Sequence, residues 1–348
     1  MRGSSGTNRG VRSAGRAGGH TQAMRRGLSR KVLAVALATS AGVAAAAGVL
    51  RSSDTAEASS SSTTTTGVYV PTGPLRAADT RRADCGCVRV DATTISVSVT
   101  DRDGVPADAV AAVVTVTALP GPFGYATVYP SGMPRPTTST VNTRPDRAVA
   151  NTAIVMLGEG GGLEVFTSSP IAVVLDVVGA FVPAERATAG RFQAVAPQRL
   201  LDAREVGPAS APGSVTQVAV PETMTGAAAL AVNVTHVGVG TPGHVSIASS
   251  PDTSFLNTVG HGAVAATVIA PVVDGYISFV DRAGGYLVVD VSGWFTGDDA
   301  PGSDTGLFVP LAPDRLADTR AGERIWRHGT IEVGSPVPAA ALVTNVTV

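Results

Sequence analysis

At 348 residues the chain has room for two or three domains with sizeable cores. A net charge of −1, from 26 basic and 27 acidic residues, excludes the overall basic field of a nucleic-acid binder and the acidic excess of a polyanion mimic. With 40 Gly, 23 Pro and much Ala, Val and Thr, the composition points to a turn-rich all-β chain over a helical one.

Residues 1–66 read as an export segment and linker. A Gly/Ser/Arg-rich lead runs into Arg25, Arg26, Arg30 and Lys31, and the uncharged, Ala- and Val-rich stretch 32–50 follows. Ala56-Glu57-Ala58 then offers the small-x-small pattern of a signal-peptidase site, so cleavage is predicted after Ala58. If cleavage failed, the 19-residue apolar run would be near the minimum for a membrane anchor. Arg25-Arg26 leaves the twin-arginine and general export routes both open. Either way the remainder is expected outside the cytoplasm, in the envelope or beyond the cell. Ser59 to Thr66 is Ser/Thr only and reads as a flexible stalk. Lys31 is the sole lysine; this arginine bias suggests a GC-rich, bacterial coding sequence.

Beyond the stalk the chain repeats itself. Pro74-x-Arg76-x-x-Asp79-Thr80-Arg81 returns as Pro197-x-Arg199-x-x-Asp202-Ala203-Arg204 and again as Pro313-x-Arg315-x-x-Asp318-Thr319-Arg320. The aspartates are 202 − 79 = 123 and 318 − 202 = 116 residues apart, a domain spacing and not a solenoid spacing. Ala112–Thr117 matches Leu230–Thr235 and Leu342–Thr347; Ser139-x-x-Asn142 matches Ser254-x-x-Asn257; Leu175–Phe181 matches Val289–Phe295. Two whole units are therefore expected, over 68–183 and 191–297, with a truncated third over 307–348 and polar linkers between them.

Within a unit the apolar residues alternate. Leu230, Val232 and Val234 share one face of a strand; Leu287, Val289, Val291 and Phe295 are expected to share another, with Asp290, Ser292 and Trp294 opposite. Pairs such as Asp274-Gly275 and Gly284-Gly285 mark turns. Roughly eight short strands per unit, each with one apolar face, predict tandem two-layer antiparallel β-sandwiches of jelly-roll type.

These blocks resemble the repeat modules of actinobacterial exported proteins that carry Arg-Leu-Leu-Asp-Thr-Arg, Asn-Val-Thr and Asp-Val-x-Gly-Tyr-Phe signatures. Arg199–Arg204 is the nearest match, and the first unit departs at Thr115 and Ala180. The resemblance covers 68–348 and implies an envelope or surface unit; it brings no activity or cofactor with it.

Each chemically suggestive group has a structural alternative. Asp202 and Arg204, two apart on one strand face, could bind a carboxylate or sugar, but a partly buried ion pair that sets register is favoured. Asp176 and Asp290 lie in apolar strands and must find an arginine or backbone donor. Asp298, Asp299 and Asp304 read as solvated linker in preference to a calcium site. His236, His244 and His261 could hold zinc if gathered, yet scattered polar-face positions are favoured. Asn233 and Asn345 fit the glycosylation pattern but fall in expected strands. Cys85 and Cys87 are expected as a disulfide, in a tight local ring or to a partner.

No catalytic constellation, metal or cofactor is expected, and the chain reads as a non-catalytic binding or structural module. Cell-wall polysaccharide or other surface proteins are the expected partners, with no nucleic acid. The alternatives are a spacer that joins neighbours by strand addition, or a piece of a longer surface protein or hydrolase.

Overall fold

The computed structural model describes residues 65–313 together with Arg315 and Asp318. Residues 1–64, where an export segment is expected, and most of the third repeat, Leu342–Thr347 and Asn345 included, lie outside the described residues. The first repeat supplies β1 (Gly67–Asp79), β2 (Val88–Arg89), β3 (Thr94–Ser98), β4 (Ala111–Ala118), β5 (Gly124–Pro130), β6 (Val141–Thr143), β7 (Val149–Met156), β8 (Gly162–Thr167) and β9 (Val173–Pro183). The second supplies β10 (Phe192–Asp202), the one-turn helix α1 (Ala203–Val206), β11 (Ser214–Ala219), β12 (Ala227–Val239) and β13 (His244–Ile247). It continues with β14 (Leu256–Asn257), β15 (His261–Pro271), β16 (Tyr276–Asp281) and β17 (Gly285–Thr296).

The strands of each repeat form two antiparallel sheets. In the second, the orders are β10-β17-β12-β15 and β11-β16-β13-β14. Numbered within the unit from one to eight, these are 1-8-3-6 and 2-7-4-5, the connectivity of a jelly roll. The first repeat has the same arrangement, β1-β9-β4-β7 facing β2-β3-β8-β5-β6, with β2 as an added edge strand. One-sided burial drives this layering. Val97, Val114, Val116, Val128, Leu163 and Leu175 lie in the first core, and Leu230, Val232, Val245, Ile277, Phe279 and Val289 in the second. Asp274 and Gly275, both at positive φ, form the two-residue turn from β15 to β16, where Val273 and Tyr276 exchange backbone hydrogen bonds.

A third apolar cluster joins the repeats. Tyr69, Ala111, Val113, Val178 and Phe181, on the outer face of β1-β9-β4-β7, pack with Ala229, Ile269 and Phe295 of the second repeat. Consequently β4 is buried at every position, whereas β12 alternates between buried and half-buried residues.

Three expectations are corrected here. Strict alternation along the closing strand fails, because the register with β12 jumps between Ala231 and Val232 and leaves Ser292 as a β-bulge. Past that bulge the parity inverts: Phe295 turns to the outer cluster and Trp294 packs against the inner core. The first repeat has the same jump at Val178. The Asp-x-Arg pair does not lie along one strand, since Asp79 and Asp202 end their strands and Arg204 belongs to α1. Finally, His236 is not on a polar face; it alternates inward on β12 and is fully buried.

Candidate functional site

The repeated Arg-x-x-Asp-x-Arg block builds one cluster in each whole repeat. β1 pairs with β9 so that Arg76 sits opposite Asp176, and β10 pairs with β17 so that Arg199 sits opposite Asp290. A register shift one residue later brings Asp79 and Asp202 beside the same arginines. Arg76 Nε donates to Asp176, and its Nη1 lies 3.5 Å from Asp79 Oδ2. Arg199 likewise grips Asp290, with its Nη1 3.1 Å from Asp202 Oδ2.

The second arginine of the block completes the clamp. Arg81 Nε and Nη2 donate to the two oxygens of Asp79 at 2.8 and 2.6 Å, and the Arg81 backbone N–H donates to Oδ1 at 3.2 Å. Arg204 does the same to Asp202, its Nε at 2.8 Å and its backbone N–H at 3.1 Å, which also caps α1. The hydrogen bonds from Arg81 and Arg204 hold the Asp79 and Asp202 carboxyls down at about 2, against the opposing effect of burial. In the third repeat Arg315 Nη1 lies 2.7 Å from Asp318 Oδ2, the same spacing of three residues.

Asp176 and Asp290 thus receive the arginine partners that their apolar strands demand. Their surroundings differ. The Asp176 side chain is 2% exposed and the Asp290 side chain 29%. Burial raises the Asp176 carboxyl above its ordinary value despite Arg76. Across the sheet the row continues through Thr115 to Thr152, whose hydroxyls are 3.0 Å apart, and in the second repeat through Asn233 to Thr267. Asn233 is therefore a strand residue.

The other candidates do not converge. His236, on β12, reaches across the second core to Asp281 on β16, Nε2 to Oδ2 at 3.3 Å, with the carbonyl of Gly284 at 3.2 Å. Both neighbours only accept, so Nε2 carries the proton and Nδ1 has no partner. Asp281 also accepts from the amides of Ala283 and Gly284 at 2.9 and 3.0 Å. Burial pushes the Asp281 carboxyl up, but His236 and these amides outweigh it and the net direction is down. His244 sits on β13, held below the ordinary histidine value by burial and by Arg282 nearby, and His261 is exposed at the start of β15. Among the described residues no three His, Cys, Asp or Glu side chains gather as a metal site. Asp298, Asp299 and Asp304 are exposed in the linker.

Cys85 and Cys87 form a disulfide with each other, the local ring. The Asp79 amide donates to the Cys85 carbonyl at 2.9 Å, which folds this loop back onto the end of β1.

One surface feature escaped the sequence reading. Phe123, 72% exposed, precedes Tyr125 on β5, whose ring centroid is 5.9 Å from that of Phe166 on β8. Arg135 lies over Phe166 with its Cζ 3.8 Å from the ring centre. The signal was Pro122-Phe123-Gly124-Tyr125, two aromatics in a turn-rich stretch of an aromatic-poor chain.

No family model and no curated protein matches the sequence. Among solved structures, the chain is similar to the N-terminal CBM22-1-CBM22-2 tandem domain of Xyn10C from Paenibacillus barcinonensis, at 12% identity over 67% of this chain and 97% of that one. The TM-score of 0.17 is too low for that likeness to carry any argument about the site. Among the described residues no helix is long and apolar enough to cross a membrane.

Proposed function

We propose that this chain is an exported, non-catalytic module of the cell envelope or surface, of the actinobacterial repeat type, in which the repeated Arg and Asp residues build the scaffold and a separate aromatic ledge makes the contacts. The observation that carries the reading is the closure of the motif on itself. Asp79 and Asp202 are each gripped by both arginines of their own block, and Asp176 and Asp290 by the first of these. Residues so committed lock the ends of β1 and β10 to the closing strands.

Phe123 and Tyr125, the exposed aromatics, supply the complementary surface, with Arg135 beside them held over the buried Phe166 ring. Aromatic faces flanked by a planar guanidinium give a sugar ring an apolar surface to stack on and donors for its hydroxyls, which suits cell-wall polysaccharide. The second repeat has Pro242 and His244 at the places of Phe123 and Tyr125, so of these two repeats the first carries the ledge.

The test is retention of the chain on purified cell-wall polysaccharide. Phe123→Ala with Tyr125→Ala should abolish retention without lowering the melting temperature, while Asp202→Ala should lower stability and leave retention intact at temperatures where the variant is folded. Retention that follows Asp202 and ignores Phe123 and Tyr125 would transfer the site to the ionic cluster. Absence of retention would remove polysaccharide from the reading.

A further inference from the structure

The starts of the three repeats touch one another in a cycle. Gly67, Gly190 and Gly306 each lie nine residues before the first arginine of their block, and Tyr69, Phe192 and Phe308 each lie seven before it. The Tyr69 amide donates to the Gly190 carbonyl at 2.9 Å, the Phe192 amide to the Gly306 carbonyl at 2.8 Å, and the Phe308 amide to the Gly67 carbonyl at 2.7 Å. First to second, second to third, third to first: the ring is closed. A side chain at Gly190 would put its Cβ 2.3 Å from the Tyr69 carbonyl oxygen, and one at Gly306 would meet that of Phe192 at 2.2 Å, so the approach itself requires glycine.

Two more contacts obey the same rotation. Tyr69 packs on Phe295 of the next repeat at 4.6 Å between ring centres, and Phe308 on Phe181 at 4.1 Å. Thr253, Ser254 and Phe255 of the second repeat share a small cavity with Thr115, Asp176 and Val178 and so cover the ionic face of the first. Correspondingly, Arg315 Nη2 donates at 2.7 Å to the carbonyl of Thr137, the first-repeat position equivalent to Asp252. From the second repeat toward the third, the Phe192–Gly306 bond is accompanied by Arg191, whose Nη1 donates to the Thr305 carbonyl at 3.1 Å.

The exposure pattern marks the same place. Ile269 of β15, packed against the first repeat, is 6% exposed, whereas its equivalent Ile154 of β7 is 41% exposed. Asp290 and Ser292 are open where Asp176 and Val178 are covered. Ile154 and the Asp290–Ser292 face are the two positions that a third sandwich, rotated by the same operation, would bury.

We infer that the fold is a pseudo-threefold ring, and that Ile154 with the Asp290–Ser292 face forms a docking seat for a third sandwich of this repeat, the unit that Leu307–Asp318 begins. The occupant is that one kind of unit, because the seat continues the interface between the first two and residues 306–308 already hold its place in the ring.

The experiment extends the third unit. Thr347 is equivalent to Thr235, so appending residues 236–297 after Thr347 supplies the strands that follow in the second repeat. Ile154→Cys or Ser292→Cys is introduced into the parent and the extended chain, and alkylation rates are compared, with Val88→Cys on the far sheet as the control. The native cysteines are joined to each other and do not interfere. Labelling at positions 154 and 292 should slow by about tenfold or more in the extended chain, with position 88 unchanged. Equal rates in an extended chain whose added strands register in circular dichroism would overturn the docking. Should the extension fail to fold, hydrogen exchange on the unmodified chain decides: the amides of Tyr69, Phe192 and Phe308 should be protected to within about tenfold of one another. An unprotected Phe308 amide would break the ring and the inference with it.

Discussion

Asp176 and Asp290 hold the same place in their repeats, meet the same arginine, and differ in what lies over them. Because the second repeat covers the first ion pair, removing Asp176 leaves Arg76 only its longer contact to Asp79 in a partly dry setting. Asp176→Ala should therefore cost about 3 kcal/mol in chemical denaturation, and Asp290→Ala clearly less, since water can solvate Arg199. Equal losses would mean that cover contributes nothing. Acid should act through different members of the clusters. Asp79 and Asp202, at about 2 against an ordinary 3.8, stabilise the fold fully above about pH 4, and that contribution is lost as the pH falls through 2. Asp281, also lowered, acts with the same sign. Asp176, raised by burial, has the opposite sign: its contribution is greatest below the ordinary carboxylate value and declines as pH rises through its folded value. With the exposed Asp84, Asp91 and Asp146 lowered as well, the lowered carboxyls outnumber Asp176 and predict a denaturation midpoint that drops between pH 4 and pH 2; a midpoint constant over that window would refute the assignment. Asp281→Ala is a further case. It leaves His236 and the amides of Ala283 and Gly284 without their shared acceptor inside the second core, a loss of about 3 kcal/mol.

At the level of the strand, the closing element of each repeat serves two cores in turn. The bulge at Val178 or Ser292 inverts the side-chain parity, so residues before it fill the sandwich and the phenylalanine after it fills the contact between repeats. Period-two reading recovered the sandwich class and the strand alternation up to Val291, because those depend only on which residues must avoid water. It failed from Ser292 onward, because an extra residue in one strand has no compositional mark. His236 was missed for a different reason. The alternation of Leu230, Val232 and Val234 continues inward onto His236, but an ionisable ring has no evident place in an apolar core until β16 is known to deliver Asp281 opposite it. The glycine after each bulge shows how tight this element is. A Cβ at Gly179 would lie 2.2 Å from the Tyr69 ring, and one at Gly293 2.2 Å from the Phe192 ring. Gly179→Ala should accordingly destabilise by about 1–3 kcal/mol, with part of the loss recovered by Tyr69→Leu in a double-mutant cycle; an additive pair would show that the two do not meet.

For the molecule as a whole, the question is whether the two sandwiches are separately stable or support one another. Tyr69, Val113, Val178 and Phe181 on one side and Ala229, Ile269 and Phe295 on the other are as well buried as the inner cores, so the contact between repeats has the character of a third core. Apolar area removed from water there is lost if either partner unfolds, which couples the two transitions. One calorimetric transition is expected for residues 65–313, with a calorimetric enthalpy equal to its van't Hoff value. Ile154 and Ile269 make the comparison internally controlled, since they occupy equivalent places on β7 and β15 and only the second is covered. Ile269→Asp places a carboxylate against Phe295 and the first repeat, and should split the transition or lower it by the equivalent of about 3 kcal/mol or more. Ile154→Asp, at the exposed position, should move it by no more than about 0.5 kcal/mol. The same substitution at the same place in the jelly roll would then differ only by the neighbouring repeat, and a matching effect at both positions would show that each sandwich stands alone.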